Sequence, residues 1–394
     1  MKKIYLDYAS TTPVAPEVLR AMQPYWSKDF ANPSSIHSRG VLAKKAVGEA
    51  RKTVAKFLNA HAREIIFTSG GTEANNIAVF STVKTADAWQ KAHIITTEIE
   101  HSSILESCKE LERMGLSVSY MKVNAEGLVN PKDLRELIRP ETVLVSIGYA
   151  NGEIGVVQSV KEIIKEIRHA RMALHGSRFG YPYLHLDAAQ AAQYENMNVE
   201  ELGADLISID AQKIYGPKGI GALYIRDGVK IEPTMFGGGQ ERGLRSGTEN
   251  VPLIVGFAKA LELVAKMKKK ESTRLAKIRD SFFKAVKKNI PQAIINGSLT
   301  NRLLNNINIS IPGEEGEMLV LRLDEAGFIA SAASACSSGS GDSPVVRKLA
   351  EASGAGVKEI DARAASTLRF TLGRDTNSGD MTKLLAVLKK ICKR

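Results

Sequence analysis

Asp205-Leu-Ile-Ser-Ile-Asp-Ala-Gln-Lys-Ile-Tyr-Gly-Pro-Lys-Gly219 is the stretch on which the reading of this chain turns. Leu206 to Ile209 is a short apolar run of the kind that forms a buried strand. Polar residues, a lysine and a glycine/proline turn follow it, so Lys213 falls just past a strand's carboxyl end. That is where open α/β sheets hold ligands. A lysine kept partly out of water there can act as an amine nucleophile. A lysine in a loop is far more often a solvated surface residue. The neighbours of Lys213 in the pattern are what set it apart.

Working outward, strand patterns recur and end in polar residues. Glu64 to Thr68 reads as a strand entering Ser69-Gly-Gly-Thr72 and a helix. Backbone N–H groups at such a turn suit an anion, although a plain capped helix has the same pattern. His93 to Thr97 precedes Glu98-Ile-Glu-His101. Thr142 to Tyr149 precedes Ala150-Asn-Gly-Glu-Ile-Gly155. Tyr183 to Asp187 ends in a carboxylate, and Gly221 to Ile225 is a further strand. Helical spacing covers 38–58, 104–114 and 158–172. Alternation of strands and helices predicts an α/β fold with a mostly parallel sheet and a site along its carboxyl edge. Phe236 to Thr248 is glycine-rich loop. A long helix is expected over about 252–288, then strands near 305–311, 327–331 and 367–372. These define a large α/β domain over 16–255 and a smaller α+β domain made of 1–15 and 256–394.

The bulk numbers exclude several classes. A chain of 394 residues with 44% hydrophobic and 25% charged content is an ordinary globular composition. No 18-residue apolar run and no signal-type amino terminus occur, so neither a membrane span nor export is expected. The three cysteines, Cys108, Cys336 and Cys392, have no metal or disulfide spacing, which suits a reducing cytoplasm. The net charge of +11 is spread along the chain. Its densest cluster, Lys266 to Lys270, lies in a helical pattern and reads as a solvated face, so direct nucleic-acid binding is not expected.

Thr72, His101, Asp187, Gln190, Lys213 and Arg369 stand at or near strand ends. One ligand type would use them all: a phosphate for the glycine turn, a protonated ring nitrogen for the carboxylate, an aldehyde for the amine, a flat ring for the imidazole. Pyridoxal 5'-phosphate has each of these parts. Cys336 lies in Ser331 to Ser343, the one low-complexity stretch. A lone cysteine is usually a buried hydrophobe, but a thiol in a small-residue loop has the access a nucleophile needs. Cys108 sits in a helical pattern and reads as structural.

The chain resembles the cysteine desulfurases of the class-V aminotransferase family, pyridoxal-phosphate enzymes of fold type I. The resemblance rests on Tyr5-Leu-Asp-Tyr8 through Pro13, Asn32-Pro-Ser-Ser35, Thr68-Ser-Gly-Gly-Thr-Glu73, Glu100-His101, Asp187-Ala-Ala-Gln190, Lys213-Ile-Tyr-Gly-Pro-Lys-Gly219, Arg245-Ser-Gly-Thr248, Ser334-Ala-Cys336 and Leu368-Arg-Phe-Thr-Leu-Gly-Arg374, in family order. It implies that Lys213 carries the cofactor and moves the Cα proton. Asp187 would pair with the ring nitrogen, His101 stack on the ring, and Gln190 bond the phenolate oxygen. Gly71, Thr72 and Gln212 would hold the phosphate, joined by Thr248 from a neighbouring subunit of a homodimer. Arg369 and Asn32 would bind the substrate, L-cysteine, and Cys336 would carry away its sulfur as a persulfide, releasing L-alanine. An iron–sulfur scaffold or a sulfur-relay protein would be the acceptor. No metal is implied. A selenocysteine lyase, another class-V lyase or aminotransferase, and a catalytically weakened scaffold protein are the alternative readings.

Three positions depart from the family pattern. Where members usually have Ser-x-His before the lysine, this chain has Asp210-Ala-Gln212. An ionised Asp210 beside a phosphate costs roughly 4 kcal/mol at about 4 Å and an effective dielectric of about 20. It must therefore turn away, pair with a cation, take a proton or weaken phosphate binding. The third departure is Gly152, where the family has a second asparagine that contacts the cofactor's phenolate oxygen and the substrate. A local shift of Asn151 would restore that contact.

Overall fold

The computed structural model describes residues 3–86, 89–177, 179–332 and 341–392. Twelve strands occur among them: β1 (Ile4–Tyr5), β2 (Ile65–Thr68), β3 (His93–Thr97), β4 (Ser117–Met121), β5 (Thr142–Gly148), β6 (Tyr183–Asp187), β7 (Leu206–Asp210), β8 (Gly221–Ile225), β9 (Ile294–Ile295), β10 (Asn306–Ser310), β11 (Phe328–Ile329) and β12 (Thr367–Thr371). The helices before the long connector are α1 (Pro16–Met22), α2 (Pro24–Ser27), α3 (Ser38–Leu58), α4 (Gly71–Lys84), α5 (Ser102–Arg113), α6 (Leu134–Leu137), α7 (Val160–His175) and α8 (Val199–Leu202). The connector is α9 (Val251–Asn289). After it come α10 (Gly316–Glu325), α11 (Pro344–Ala352), α12 (Val357–Ala365) and α13 (Ser378–Ile391).

Seven strands form the main sheet in the order β2-β8-β7-β6-β5-β3-β4. The pairs β3–β4, β3–β5, β5–β6 and β6–β7 are parallel, whereas β8 runs antiparallel to both β2 and β7. The sheet is thus mostly parallel, as the βα alternation predicts. Every residue of β2, β3, β6, β7 and β8 is buried, because helices cover both faces. Alternation along each strand sorts the two faces. Ile66, Ile94, Leu144, Leu206 and Leu223 pack against residues of α4 and α5. Phe67, Ile95, Val145, Leu184 and Ile207 pack on the opposite face against α3, α7 and α9.

The expected strands near 305–311, 327–331 and 367–372 are present as β10, β11 and β12. The sequence reading did not include β9, a two-residue strand. It pairs with β10, which pairs in turn with β12. The parallel pair β1–β11 ties the amino terminus to this region. Consequently residues 4–12 run from the small sheets onto the carboxyl edge of the large one. Of the lysines in the 266–270 cluster, Lys268 is not on a solvated face: its ammonium donates to the carbonyl of Glu195.

Gly221 sets how closely the turn after β2 approaches β7. It opposes both Thr68 and Asp210 in the sheet. A Cβ on it would lie 2.6 Å from the Ile209 carbonyl oxygen and 2.9 Å from the Gly70 Cα. Backbone, not a flexible side chain, would have to move. Gly221→Ala is therefore expected to lower stability by about 1–3 kcal/mol, measured as a fall in the urea midpoint at unchanged slope.

Candidate active site

The carboxyl ends of β2, β3, β5, β6 and β7 open on the same edge, and each contributes. At the end of β6, Asp187 is 9% exposed. Its Oδ2 accepts from Asn75 Nδ2 at 2.7 Å, and its Oδ1 accepts from the Ala189 amide at 3.0 Å. Asn75, on the second turn of α4, also donates to Ser103 Oγ at 2.8 Å. A layer of buried polar groups lies one pleat below: His185 bridges Ser146 Oγ and Ser208 Oγ, each at 2.9 Å. Burial pushes the His185 imidazole down to about 4, so it stays neutral. Neither Asn75 nor this layer figures in the sequence reading. The signal was present in the strands themselves, since Ser146, His185 and Ser208 each stand two residues before the last residue of an otherwise apolar strand.

Lys213 closes the 3-10 turn after β7. Its ammonium donates to the carbonyls of Ala9 and Ser10, both at 2.8 Å. The turn beyond it is sharp. Tyr215 adopts a left-handed φ of 64°, rare for a non-glycine residue. Its amide donates to Thr12 Oγ1 at 2.8 Å, its hydroxyl accepts from the Arg374 amide, and the Arg374 guanidinium covers its ring at 3.9 Å. Strained backbone persists only where surroundings over-determine it, and here three contacts do so.

Arg369 enters from β12 and is 3% exposed. Its Nη2 donates to Asp7 Oδ1 at 2.9 Å and to Ser10 Oγ at 2.7 Å, and its Nη1 donates to the Gly152 carbonyl at 3.3 Å. Its Nε is buried with no hydrogen-bond acceptor among the described residues. Ser10 is thus shared, its carbonyl with Lys213 and its hydroxyl with Arg369. His101 caps α5: its Nδ1 accepts from the Ser103 amide at 3.1 Å, which holds the ring and leaves Nε2 for the proton.

Gln190 donates through Nε2 to the Ala9 carbonyl at 3.0 Å. Its side chain also lies 2.9–3.0 Å from where a Cβ on Gly152 would be. The space of the family's second asparagine is therefore filled by Gln190. Asn151 does not shift to replace it. Its Nδ2 donates to the Ile99 carbonyl at 2.8 Å, and its Oδ1 accepts from the Glu153 and Ile154 amides, fixing the turn. Gly71 is buried, whereas Thr72, Asn32 and Thr248 are exposed within the single chain. The Asn32 side chain serves its own turn, accepting from Ser34 N. Cys336 lies outside the described residues. Cys108 is fully buried and its thiol is pushed up to about 12 by burial, which fits the structural reading.

The phosphate end departs most. Asp210 does not turn away. Its Oδ2 accepts from the Gly71 amide at 3.2 Å and from Gln212 Nε2 at 3.1 Å, and its Oδ1 accepts from the Gln212 amide at 3.1 Å. Gln212, expected on the phosphate, is bonded to this carboxylate.

A family model described as aminotransferase class-V matches residues 4–384. The chain belongs to the class-V aminotransferase family. Among relatives within it, the cysteine desulfurase IscS of Dictyoglomus turgidum is 43% identical, with 100% of this chain and 95% of that protein covered. The cysteine desulfurase IscS 1 of Archaeoglobus fulgidus is 42% identical over 99% and 97%. A solved structure called NifS-like protein superposes with a TM-score of 0.88 at 32% identity, covering 99% of each chain. Another, described as SspA in complex with cysteine, has a TM-score of 0.77 at 34% identity and covers 94% of this chain and 99% of that one. The family's cofactor is pyridoxal 5'-phosphate. The ring end of the site fits it: a buried, doubly bonded carboxylate, a clamped imidazole and a primary amine converge on one edge.

Glu100, next to His101, lies below the edge. Thr97 Oγ1 donates to its Oε1 at 2.6 Å. Burial, aided by the charge of Asp187, raises its carboxyl from 4.5 to about 7. The folded chain keeps this proton between those pH values while the unfolded chain loses it. Glu100 therefore lowers stability as pH rises from about 4.5 to about 7, by on the order of 3 kcal/mol in full above that window. Glu100→Gln is expected to remove this slope, read from urea midpoints across pH 5 to about 8; an unchanged slope would count against a neutral Glu100.

Proposed function

We propose that this chain is a pyridoxal-phosphate-dependent cysteine desulfurase that converts L-cysteine to L-alanine and takes the sulfur onto Cys336 as a persulfide. One observation carries the reading beyond the family: Lys213 and Arg369 meet on Ser10. In an α-amino acid the Cα that loses a proton is bonded directly to the carboxylate. A proton-moving amine and a carboxylate-binding guanidinium held by one shared residue suit that arrangement.

When bound, the cofactor supplies an aldehyde for the substrate's amino group and an electron sink for Cα. The chain's residues do the rest. Asp187, held by Asn75 and the Ala189 amide, would keep a proton on the cofactor's ring nitrogen. The neutral His185 layer beneath adds no second positive charge. Lys213, once released from the cofactor, takes and returns the Cα proton. The Ala9 and Ser10 carbonyls fix its reach. His101, held by the Ser103 amide, would stack on the ring. Arg369 offers its acceptor-free Nε to the substrate carboxylate, and a planar fork suits that group better than a lysine. Asn32 assists binding of the substrate. Gln190 would bond the phenolate oxygen.

The same reading assigns Gly71, Thr72, Gln212 and Thr248 to the phosphate end, with Thr248 reaching across a homodimer. Its exposure in the single chain supports that assignment. It divides the chain into a cofactor-binding unit, 16–255, and a unit of 1–15 with 256–394 that carries Cys336. The acceptor is an iron–sulfur scaffold or a sulfur-relay protein. No described helix is long and apolar enough to cross a membrane, and we place the protein in the cytoplasm.

The test is alanine released from L-cysteine by the purified, cofactor-loaded protein with a reductant present. Cys336→Ala is expected to abolish turnover while keeping the absorption band of the lysine-bound cofactor. Lys213→Ala is expected to lose both. Turnover that survives Cys336→Ala would overturn the role of that thiol. Arg369→Lys is expected to raise KM for cysteine at least about tenfold, through loss of the fork.

A further inference from the structure

The anion seat at the start of α4 is already taken, by a group of the chain itself. Helix α4 is 14 residues long, and its Gly70 cap provides no side-chain acceptor. The free N–H groups of such an end, with the helix dipole, attract an anion. Asp210 supplies one. Three N–H groups hold its carboxylate: the Gly71 amide, the Gln212 amide and Gln212 Nε2. The contact is close, since a Cβ on Gly71 would lie 3.3 Å from Asp210 Oδ2. The one acidic residue in the first turn of α4, Glu73, is turned elsewhere. It pairs with Arg245 at 2.7 Å and accepts from the Ser69 amide at 2.7 Å. Gly221 admits the Gly70 backbone against β8, opposite Asp210, so the carboxylate and the turn are pressed together by the sheet itself.

These donors are those that the site assigns to the cofactor's phosphate. We propose that Asp210 is an internal anion that occupies the phosphate seat and must be displaced, or neutralised, for the cofactor's phosphate to bind. Asp210 thereby sets the affinity for the phosphorylated cofactor, leaving the ring end untouched. Three consequences follow from electrostatics. The cofactor-free chain has its Gly71 amide satisfied, so it is a stable species rather than a damaged one. The phosphate contributes little net affinity, because it gains N–H bonds only as the carboxylate loses them. Loading then follows the cofactor concentration, so that Asp210 holds the enzyme in reversible exchange between loaded and unloaded forms.

This inference rests on the pyridoxal-phosphate reading, and its test separates the two. The full-length cofactor-free protein, Asp210→Ser and Asp210→Asn are titrated by equilibrium dialysis with pyridoxal 5'-phosphate and with phosphate-free pyridoxal. Their melting temperatures are measured with and without inorganic phosphate. Both variants are expected to bind pyridoxal 5'-phosphate at least about tenfold more tightly than the parent. Pyridoxal should bind all three alike to within about twofold, and inorganic phosphate should raise the melting temperature of the variants more than that of the parent. Without phosphate, Asp210→Ser should melt lower than the parent, having lost the carboxylate at Gly71 and Gln212. An unchanged ratio of pyridoxal 5'-phosphate to pyridoxal affinity would overturn the proposal and leave the desulfurase reading standing. Tightening by Asp210→Ser alone would overturn it too, because the neutral isostere removes the same charge. If neither cofactor form binds any of the three proteins, the pyridoxal-phosphate reading fails. The phosphate-dependent melting shift then decides whether Asp210 fills an anion seat: a larger shift in the variants supports it, equal shifts overturn it.

Discussion

Two carbonyl groups hold the site together. The Lys213 ammonium is clamped by the Ala9 and Ser10 carbonyls, and the segment that carries them is bound at both of its ends. On one side Thr12 bonds the Gln212 carbonyl and the Tyr215 amide, locking it to the turn after β7. On the other, the Ala9 amide donates to Thr371 Oγ1, and Asp7 pairs with Arg369. A charged amine drawn partly out of water needs acceptors, and residues 7–12, lying across the sheet edge, supply them. Once they do, Lys213 from the large sheet and Arg369 from the small one are fixed in register. The bonds made by one half-buried cation thus help set the geometry between two sheets that share no strand.

Three carboxyl groups near one edge are set apart by their surroundings. Asp187 accepts N–H bonds from Asn75 and the Ala189 amide. Glu100 is deeper, and burial makes its neutral form the stable one up to about pH 7. Asp210 draws on a helix terminus and a neighbouring turn. One carboxyl is held by two N–H groups, one is kept neutral by burial, and one sits against a helix terminus. The sheet keeps them separate because each ends a different strand or follows one.

The substitutions at Gly152 and Asp210 are connected to the rest of the site by packing. Gln190 uses the space above Gly152, and the carbonyl of Gly152 receives Arg369. One residue on, Glu153 accepts from the hydroxyl of Ser343, the cap of α11, and its carbonyl accepts from Asn306 and Asn308 of β10. The 151–155 turn is therefore a joint. It reaches Arg369, the small sheet and the helix that follows the Cys336 segment.

The order of strands and helices was legible because each strand is apolar over its buried length and each ends in polar residues. The spans 38–58, 93–97, 183–187 and 221–225 coincide with α3, β3, β6 and β8. The strand β9 was not, since two isoleucines carry no period. Lys213, Asp187, His101 and Arg369 were legible in the sequence too, because each lies in or shortly after a strand and their order along the chain marks the family. Their partners were not. Asn75 and Asp187 are separated by 112 residues, and Arg369 and Asp7 by 362, so no local pattern joins them. The same holds for Asp210. By itself the sequence determined that a carboxylate replaces a hydroxyl before the lysine, which follows from residue identity alone. Only the tertiary structure decided that this carboxylate faces the amide of Gly71, because the packing of β2, β7 and β8 brings that helix terminus against it.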